Sequence, residues 1–260
     1  MKVKPKTIFK FKSIQNEKDL NRISDIIEKS HIYIPKANQI NDPFEATSVK
    51  ISLSTAGSSY MEEHGYQPAN VIEEKEKYRI LSFSSEVNIS LMWAHYGNNF
   101  NGCCLVFSSD DAFSSIVPVV YTDSYFEINE GDFTNDYQIE NAVYDSFRFK
   151  RRDWSYENEW RLITYSSHEY IEFDKKILLG IIIGHNMDIE YKQKLIQKCD
   201  EQGIPYLFTY VLYGFSEIRF IPSNNDSTAF IEDWNVLENL CKDKKTKDFF
   251  HLLSNKVKKL

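Results

Sequence analysis

At 260 residues, with 42% hydrophobic and 15% aromatic residues, the chain can bury a sizeable core, which excludes an intrinsically disordered protein. Its net charge of −7 is uneven: residues 1–13 carry +5, residues 235–260 carry +4, and the body between them carries −16. An acidic body excludes wrapping a nucleic-acid backbone over a broad surface, so RNA, DNA or an acidic partner is expected only at the basic ends, which otherwise serve as solubilising segments.

The predicted elements follow in chain order. Thr7 to Lys12 alternates aromatic and basic residues, the strand period. Leu20, Ile23, Ile26 and Ile27 recur at helical spacing up to Lys29, with Asn16 as the candidate N-cap. His31 to Pro35 reads as a second strand, followed by a turn at Asn41-Asp42-Pro43-Phe44, and 51–70 as a Ser/Gly-rich loop. Val71 to Tyr78 is a charged helix, Tyr78 to Ser84 a strand and Ile89 to Tyr96 a short helix. Cys103 to Phe107 and Val117 to Tyr121 read as strands, 123–140 as an acidic excursion, Val143 to Arg152 as a helix and Trp160 to Tyr165 as a strand. Lys176 to Ile183 is a buried strand, and Ile189 to Gln202 a helix that stops at Gly203. Strands at Tyr206 to Leu212 and Ile218 to Ile221 precede helices at Ile231 to Leu240 and Lys247 to Lys259. The resulting expectation is an α+β fold with a mixed, largely antiparallel sheet flanked by helices. Residues 1–235 form one domain in this reading, and 236–260 a basic C-terminal helical extension.

No apolar run approaches the ~20 residues that span a bilayer, and Met1 to Lys6 lacks the apolar core of a signal peptide. A cytoplasmic protein without a membrane partner is the expectation. Adjacent Cys103 and Cys104 and isolated Cys199 and Cys241 make no CxxC, so reduced, mostly buried thiols follow. The six histidines form no HxH or HxxxH pair, and no metal site is expected. Neither a P-loop nor a GxSxG elbow is present.

The segment Trp154-Ser155-Tyr156-Glu157-Asn158-Glu159-Trp160-Arg161 carries the most chemistry. As a strand it points Glu157, Glu159 and Arg161 to one face, the two acids roughly 7 Å apart, while Trp160 and Leu162 enter a core. As a helix, Glu157 and Arg161 make an ordinary i,i+4 pair. Asp42 and Glu45 sit in a turn that also presents carboxylates. Trp93 reads as core before ligand platform, and Tyr96, followed by Gly97-Asn98-Asn99, is the better stacking candidate.

The order Phe9-Lys10-Phe11-Lys12-Ser13, Asn41-Asp42-Pro43-Phe44-Glu45, Ser82-Phe83-Ser84, Met92-Trp93-Ala94-His95-Tyr96-Gly97, Gly102 and Tyr156-Glu157-Asn158-Glu159-Trp160-Arg161 resembles the bacterial domain-of-unknown-function family 2971. Its members read "LYHYTS", "NDPFE", "SFS", "MWxxY", "G" and "YExEWR" in that order, across most of residues 8–185. That family has no settled activity; a toxin or phage-defence role is an expectation attached to the resemblance and to no residue.

The opening strand, helix and strand also resemble, more weakly, the start of ADP-ribosyltransferase domains. That resemblance implies NAD as substrate and cleavage of its nicotinamide–ribose bond. It matches Lys10 to the first-strand ribose contact, Ser82 or Ser84 to the serine strand, and Glu157-Asn158-Glu159 to the ExE motif. Lys10 is a departure, because an ammonium cannot reproduce a guanidinium fork. On this reading Glu159 stabilises the cationic sugar, Glu157 activates the acceptor, Arg161 keeps both acids ionised, and Trp93 or Tyr96 stacks on nicotinamide. Asn41 and Asp42 complete the expected nucleotide contacts, and the macromolecular acceptor is left open. Two alternatives stand beside it: a divalent-metal nuclease or phosphoesterase using Asp42, Glu45, Glu157 and Glu159, and a non-catalytic ligand or partner module whose acidic–aromatic segment is a structural clasp.

Overall fold

The computed structural model describes residues 2–40, 49–52, 69–124, 126–129, 136–212, 217–222 and 233–257. In chain order these form β1 (Thr7–Lys12), α1 (Glu17–Lys29), β2 (His31–Tyr33), β3 (Val49–Ser52), α2 (Ala69–Glu76), β4 (Tyr78–Ser84), α3 (Ser90–His95), β5 (Cys103–Ser108), β6 (Val117–Pro118), β7 (Val120–Thr122) and β8 (Phe126–Asn129). There follow α4 (Asp136–Ser146), β9 (Phe149–Arg151), β10 (Glu159–Tyr165), β11 (Tyr170–Glu172), β12 (Leu178–Ile183), α5 (Ile189–Gln202), β13 (Tyr206–Leu212), β14 (Glu217–Ile221), α6 (Trp234–Asn239) and α7 (Lys244–Val257). Mixed helix and strand is the observed class. The chain folds as two compact units, each gathered from separate stretches: Met1–Lys4, Ile32–Ser82 and Ser115–Ile171 in one, and Pro5–His31, Phe83–Ser114 and Glu172–Leu260 in the other.

The second of these units is built on a mixed sheet ordered β14-β13-β12-β5-β1, with the end of β4 joined to β1 at Phe9↔Ser84. β12 and β13 run parallel and the other pairs antiparallel. Parallel neighbours need a crossover, and α5 supplies it. β12 is apolar along its whole length because both its faces are covered, and its residues are buried but for Leu179. Gly180 is required there: a Cβ would lie 2.6 Å from the Phe249 ring of α7. The two caps predicted from sequence are present: Asn16 accepts the Asp19 amide at 3.1 Å, and Gly203 ends α5 at φ 63°; Asp188, not predicted, caps the start of α5. Phe83, Phe107, Phe113 and Phe173 form an aromatic core, with Phe83 and Phe113 centroids 4.8 Å apart. All four cysteines are free, and Cys103, Cys104 and Cys199 are buried, as their apolar surroundings required.

The first unit sets β10 beside β4, with β6 antiparallel to β10 through Trp160↔Pro118. β7 pairs in parallel with β9, matching Tyr121 to Lys150, and β3 with β8. Its core joins Ala37, Val71, Tyr78, Ile80, Ile139, Val143 and Phe147, with Ile163 packed against it.

Three expectations need correction here. The stretch 123–140 is not one excursion, because Phe126–Asn129 is a strand and a helix begins at Asp136. Ile139 and Val143, one helical turn apart, bury against this core, and that stripe outweighs the acidity of the segment. The helix therefore ends at Ser146, and Phe149–Arg151 is a strand. The loop expected over 51–70 also yields residues 51–52 to β3 and 69–70 to α2. The Asn41–Glu45 turn lies outside the described residues.

Candidate functional site

The acidic–aromatic segment is neither a continuous strand nor a helix. Arg152–Glu157 forms a 3₁₀ turn, Asn158 adopts the left-handed conformation at φ 46°, and strand geometry starts at Glu159. Asn tolerates that conformation better than most residues. The kink detaches Glu157 from the pleat of β10, so the side-by-side placement expected from strand alternation is replaced by a different meeting of the two acids.

They meet on Lys150. Its ammonium donates to Glu157 Oε2 at 2.6 Å and to Glu159 Oε2 at 3.2 Å, and lies 5.0 Å from the Trp154 ring centroid. Arg161 grips Glu159 with both edges of its fork, Nε to Oε1 at 2.7 Å and Nη2 to Oε2 at 2.8 Å. Its Nη1 donates to the Phe147 carbonyl at 2.6 Å. Lys150, Glu157, Glu159 and Arg161 are each no more than 6% exposed. The Ser82 side chain also hydrogen-bonds the Glu159 carboxylate, and the Glu159 amide donates to Tyr121 Oη at 2.8 Å.

Two acids and two bases thus balance formally in a dry site. Burial nevertheless pushes the Glu159 carboxyl up to about 7, with the Glu157 charge adding to the rise and Lys150 and Ser82 pulling against it. Arg161 binds Glu159, and Lys150 joins as a second cation that pairs with Glu157. Glu159, expected to stabilise a cationic sugar, has both its oxygens occupied by protein donors.

Lys150 and Tyr121 are the residues that sequence reasoning missed. A signal for Lys150 existed. Phe147-Arg148-Phe149-Lys150 alternates aromatic and basic residues as Phe9-Lys10-Phe11-Lys12 does, and that pattern marks a strand rather than the end of a helix. Tyr121 reaches Glu159 only through the β7–β9 pairing and leaves no local trace.

The remaining predicted residues lie in the other unit or outside the described residues. Lys10 is half-buried on β1, opposite Leu105. Ser84 closes a turn, donating to the Glu86 carbonyl at 2.9 Å and accepting its amide at 3.1 Å. Trp93 is fully buried: its indole donates to the Val87 carbonyl at 2.9 Å, and its ring stacks on Phe100 at 5.2 Å and meets Phe11 edge-on. It is a core residue, with no face left for nicotinamide. Tyr96 is half-buried at the end of α3, ahead of three consecutive left-handed residues, Asn98, Asn99 and Phe100. Gly102 follows because a Cβ there would lie 2.0 Å from the Lys12 carbonyl oxygen. Asn41 and Asp42 lie outside the described residues. Among the described residues no group of three or more His, Cys, Asp and Glu side chains is placed to hold a metal, and no helix is long and apolar enough to cross a membrane.

Residues 92–162 match the family described as Protein of unknown function (DUF2971). The match runs from the Met92-Trp93 motif through the Glu157–Arg161 motif and bears out the resemblance to that family. No curated protein and no solved structure matches the chain.

Proposed function

We propose that the chain is a ligand- or partner-binding module in which the Lys150–Glu157–Glu159–Arg161 quartet is a structural clasp. One observation supports this above the others: each oxygen of Glu159 already accepts a charge-assisted hydrogen bond inside the protein. A carboxylate that stabilises a developing cation must face the reacting atom, and one enclosed by its own counter-ions has no such face. Buried ion clusters add little net stability over an apolar core, yet removing a single member leaves an uncompensated charge. Such a clasp fixes how the 3₁₀ turn, β9 and β10 meet.

A second reading is an NAD-using, ADP-ribosyltransferase-like effector. It is favoured by the Ser82–Glu159 hydrogen bond, which joins the residues matched to the serine strand and to the ExE motif. A carboxyl held near neutrality is also suited to proton transfer. On this reading the substrate displaces Lys150 or Arg161 from Glu159.

One experiment separates the two. Wild-type chain and Glu159→Gln, each shown to be folded by circular dichroism, are incubated with NAD and candidate acceptors, and nicotinamide is followed by mass spectrometry. The clasp reading expects the two proteins to be indistinguishable from a protein-free blank. Release by the wild type that Glu159→Gln lacks would overturn it and establish the transferase.

A further inference from the structure

In the unit that carries the C-terminal helix, α7, the end of α5 and the turn Lys175–Ile177 enclose a groove of about 640 Å³. Its apolar surface comes from Leu178, Leu179, Ile204, Pro205, Phe249 and Leu252. A second hollow of about 490 Å³ shares Gly203, Ile204, Pro205 and Lys245 with it. That size and that largely apolar lining belong to the range of small-molecule sites, roughly 300–1,000 Å³.

The polar groups around the groove are unequal. Asp174 takes the Lys176 ammonium at 2.7 Å, Asp200 takes Lys242, and Asp243 caps the Thr246 amide at 2.8 Å. Two ammonium groups of the lining make no ion pair among the described residues, although the Lys245 charge also acts on Asp243. Lys175 donates to Gln202 Oε1 at 2.7 Å and Lys245 to the neighbouring Gly203 carbonyl at 3.3 Å. An ammonium has three donors, so each keeps two beyond the single bond it makes there. Asp248 also lines the groove and opposes an anion.

We propose that this groove binds a single-chain anionic amphiphile taken up as a monomer, a fatty carboxylate or alkyl phosphate, with its tail on the aliphatic floor and its head between Lys175 and Lys245. The lining decides the class. The apolar part of the lining, five aliphatic residues and the Phe249 ring, matches a hydrocarbon chain. Two lining lysines that make no ion pair among the described residues, Lys175 and Lys245, bond to the neighbouring residues Gln202 and Gly203, and a head group would sit there. The proposal goes beyond the clasp reading and stands without it, because no quartet residue lines the groove. It also gives a use to the basic C-terminal segment.

The test is isothermal titration of the full chain with dodecyl phosphate below its micelle concentration, beside octyl phosphate and inorganic phosphate. We expect one dodecyl phosphate per chain, octyl phosphate at least about tenfold weaker for want of four buried methylenes, and no heat from inorganic phosphate. The double variant Lys175→Gln/Lys245→Gln, changed only at surface positions, should bind dodecyl phosphate at least about tenfold more weakly with an unchanged melting curve, and Asp248→Asn more tightly. Absence of binding, equal affinity in the lysine variant, or equal affinity for the two chain lengths would overturn the proposal. Binding confined to phosphatidylglycerol vesicles, with none to the monomeric amphiphile, would overturn it as well.

Discussion

Lys150 and Lys245 have the same side chain and opposite fates. Lys150 is sealed beside Glu157 and Glu159, the latter held in turn by Arg161 and Ser82, and every charge there is answered from within the fold. Lys245 lines a groove and is answered by one backbone carbonyl. Charge that the protein satisfies for itself serves the architecture, while charge left over at an accessible apolar surface is what a ligand can use. Net charge and motif density, the features most visible in sequence, do not separate these cases. The pairing does.

The comparison breaks first, and most heavily, at Lys150. Lys150→Met leaves two buried acids facing each other, and the expected loss is about 3–5 kcal/mol, read by urea denaturation. A loss below about 1 kcal/mol would mean that water reaches the quartet and that its members are as dispensable as surface charges. The same desolvation gives a pH signature. Because the folded Glu159 carboxyl sits near 7 and its ordinary value is 4.5, the native state holds more protons between those values. Stability therefore falls as pH rises across that window and is level outside it. The span is at most roughly 3 kcal/mol. Melting temperatures of wild type and Glu159→Gln should diverge between about pH 4.5 and pH 7, and parallel curves would remove the desolvated carboxyl from the account.

The groove is sharpened by Gly180→Ala. Its new methyl group collides with the Phe249 ring, and overpacking of this kind costs about 1–3 kcal/mol. Phe249 lines the groove, so the same change should weaken dodecyl phosphate binding while leaving the quartet's pH signature intact. The smallest effect is expected at Asn158. Asn158→Ala places an ordinary residue at φ 46° and should cost about 1 kcal/mol, with Asn158→Gly close to wild type in the same thermal melt.

Much of the frame was legible before any coordinates. Periodicity and caps gave β1, α1, β4, β12, α5 and β13, because those segments have a clear apolar pattern and α1 and α5 carry Asn16 and Gly203 at their ends. The quartet was half legible. Glu157, Glu159 and Arg161 announced themselves by density in one short segment. Lys150 was hidden by the expectation of a helix through Arg152, and Ser82 and Tyr121 approach only by strand pairing. The left-handed Asn158 was invisible because a single kinked residue does not alter a pattern of alternating polar and aromatic positions. Trp93 is the easier case: read as core before ligand platform, it packs between Phe11 and Phe100.

The kink at Asn158 limits which residues this position accepts. In "YExEWR" the x is written as though any amino acid would serve, yet here it turns the chain so that both glutamates close on a single ammonium. Asn, Gly or Asp can occupy such a position at little steric cost, whereas Val, Ile or Thr cannot. A β-branched residue at position 158 of this chain would oppose the turn that brings both glutamates onto Lys150, and would leave one acid without its cation.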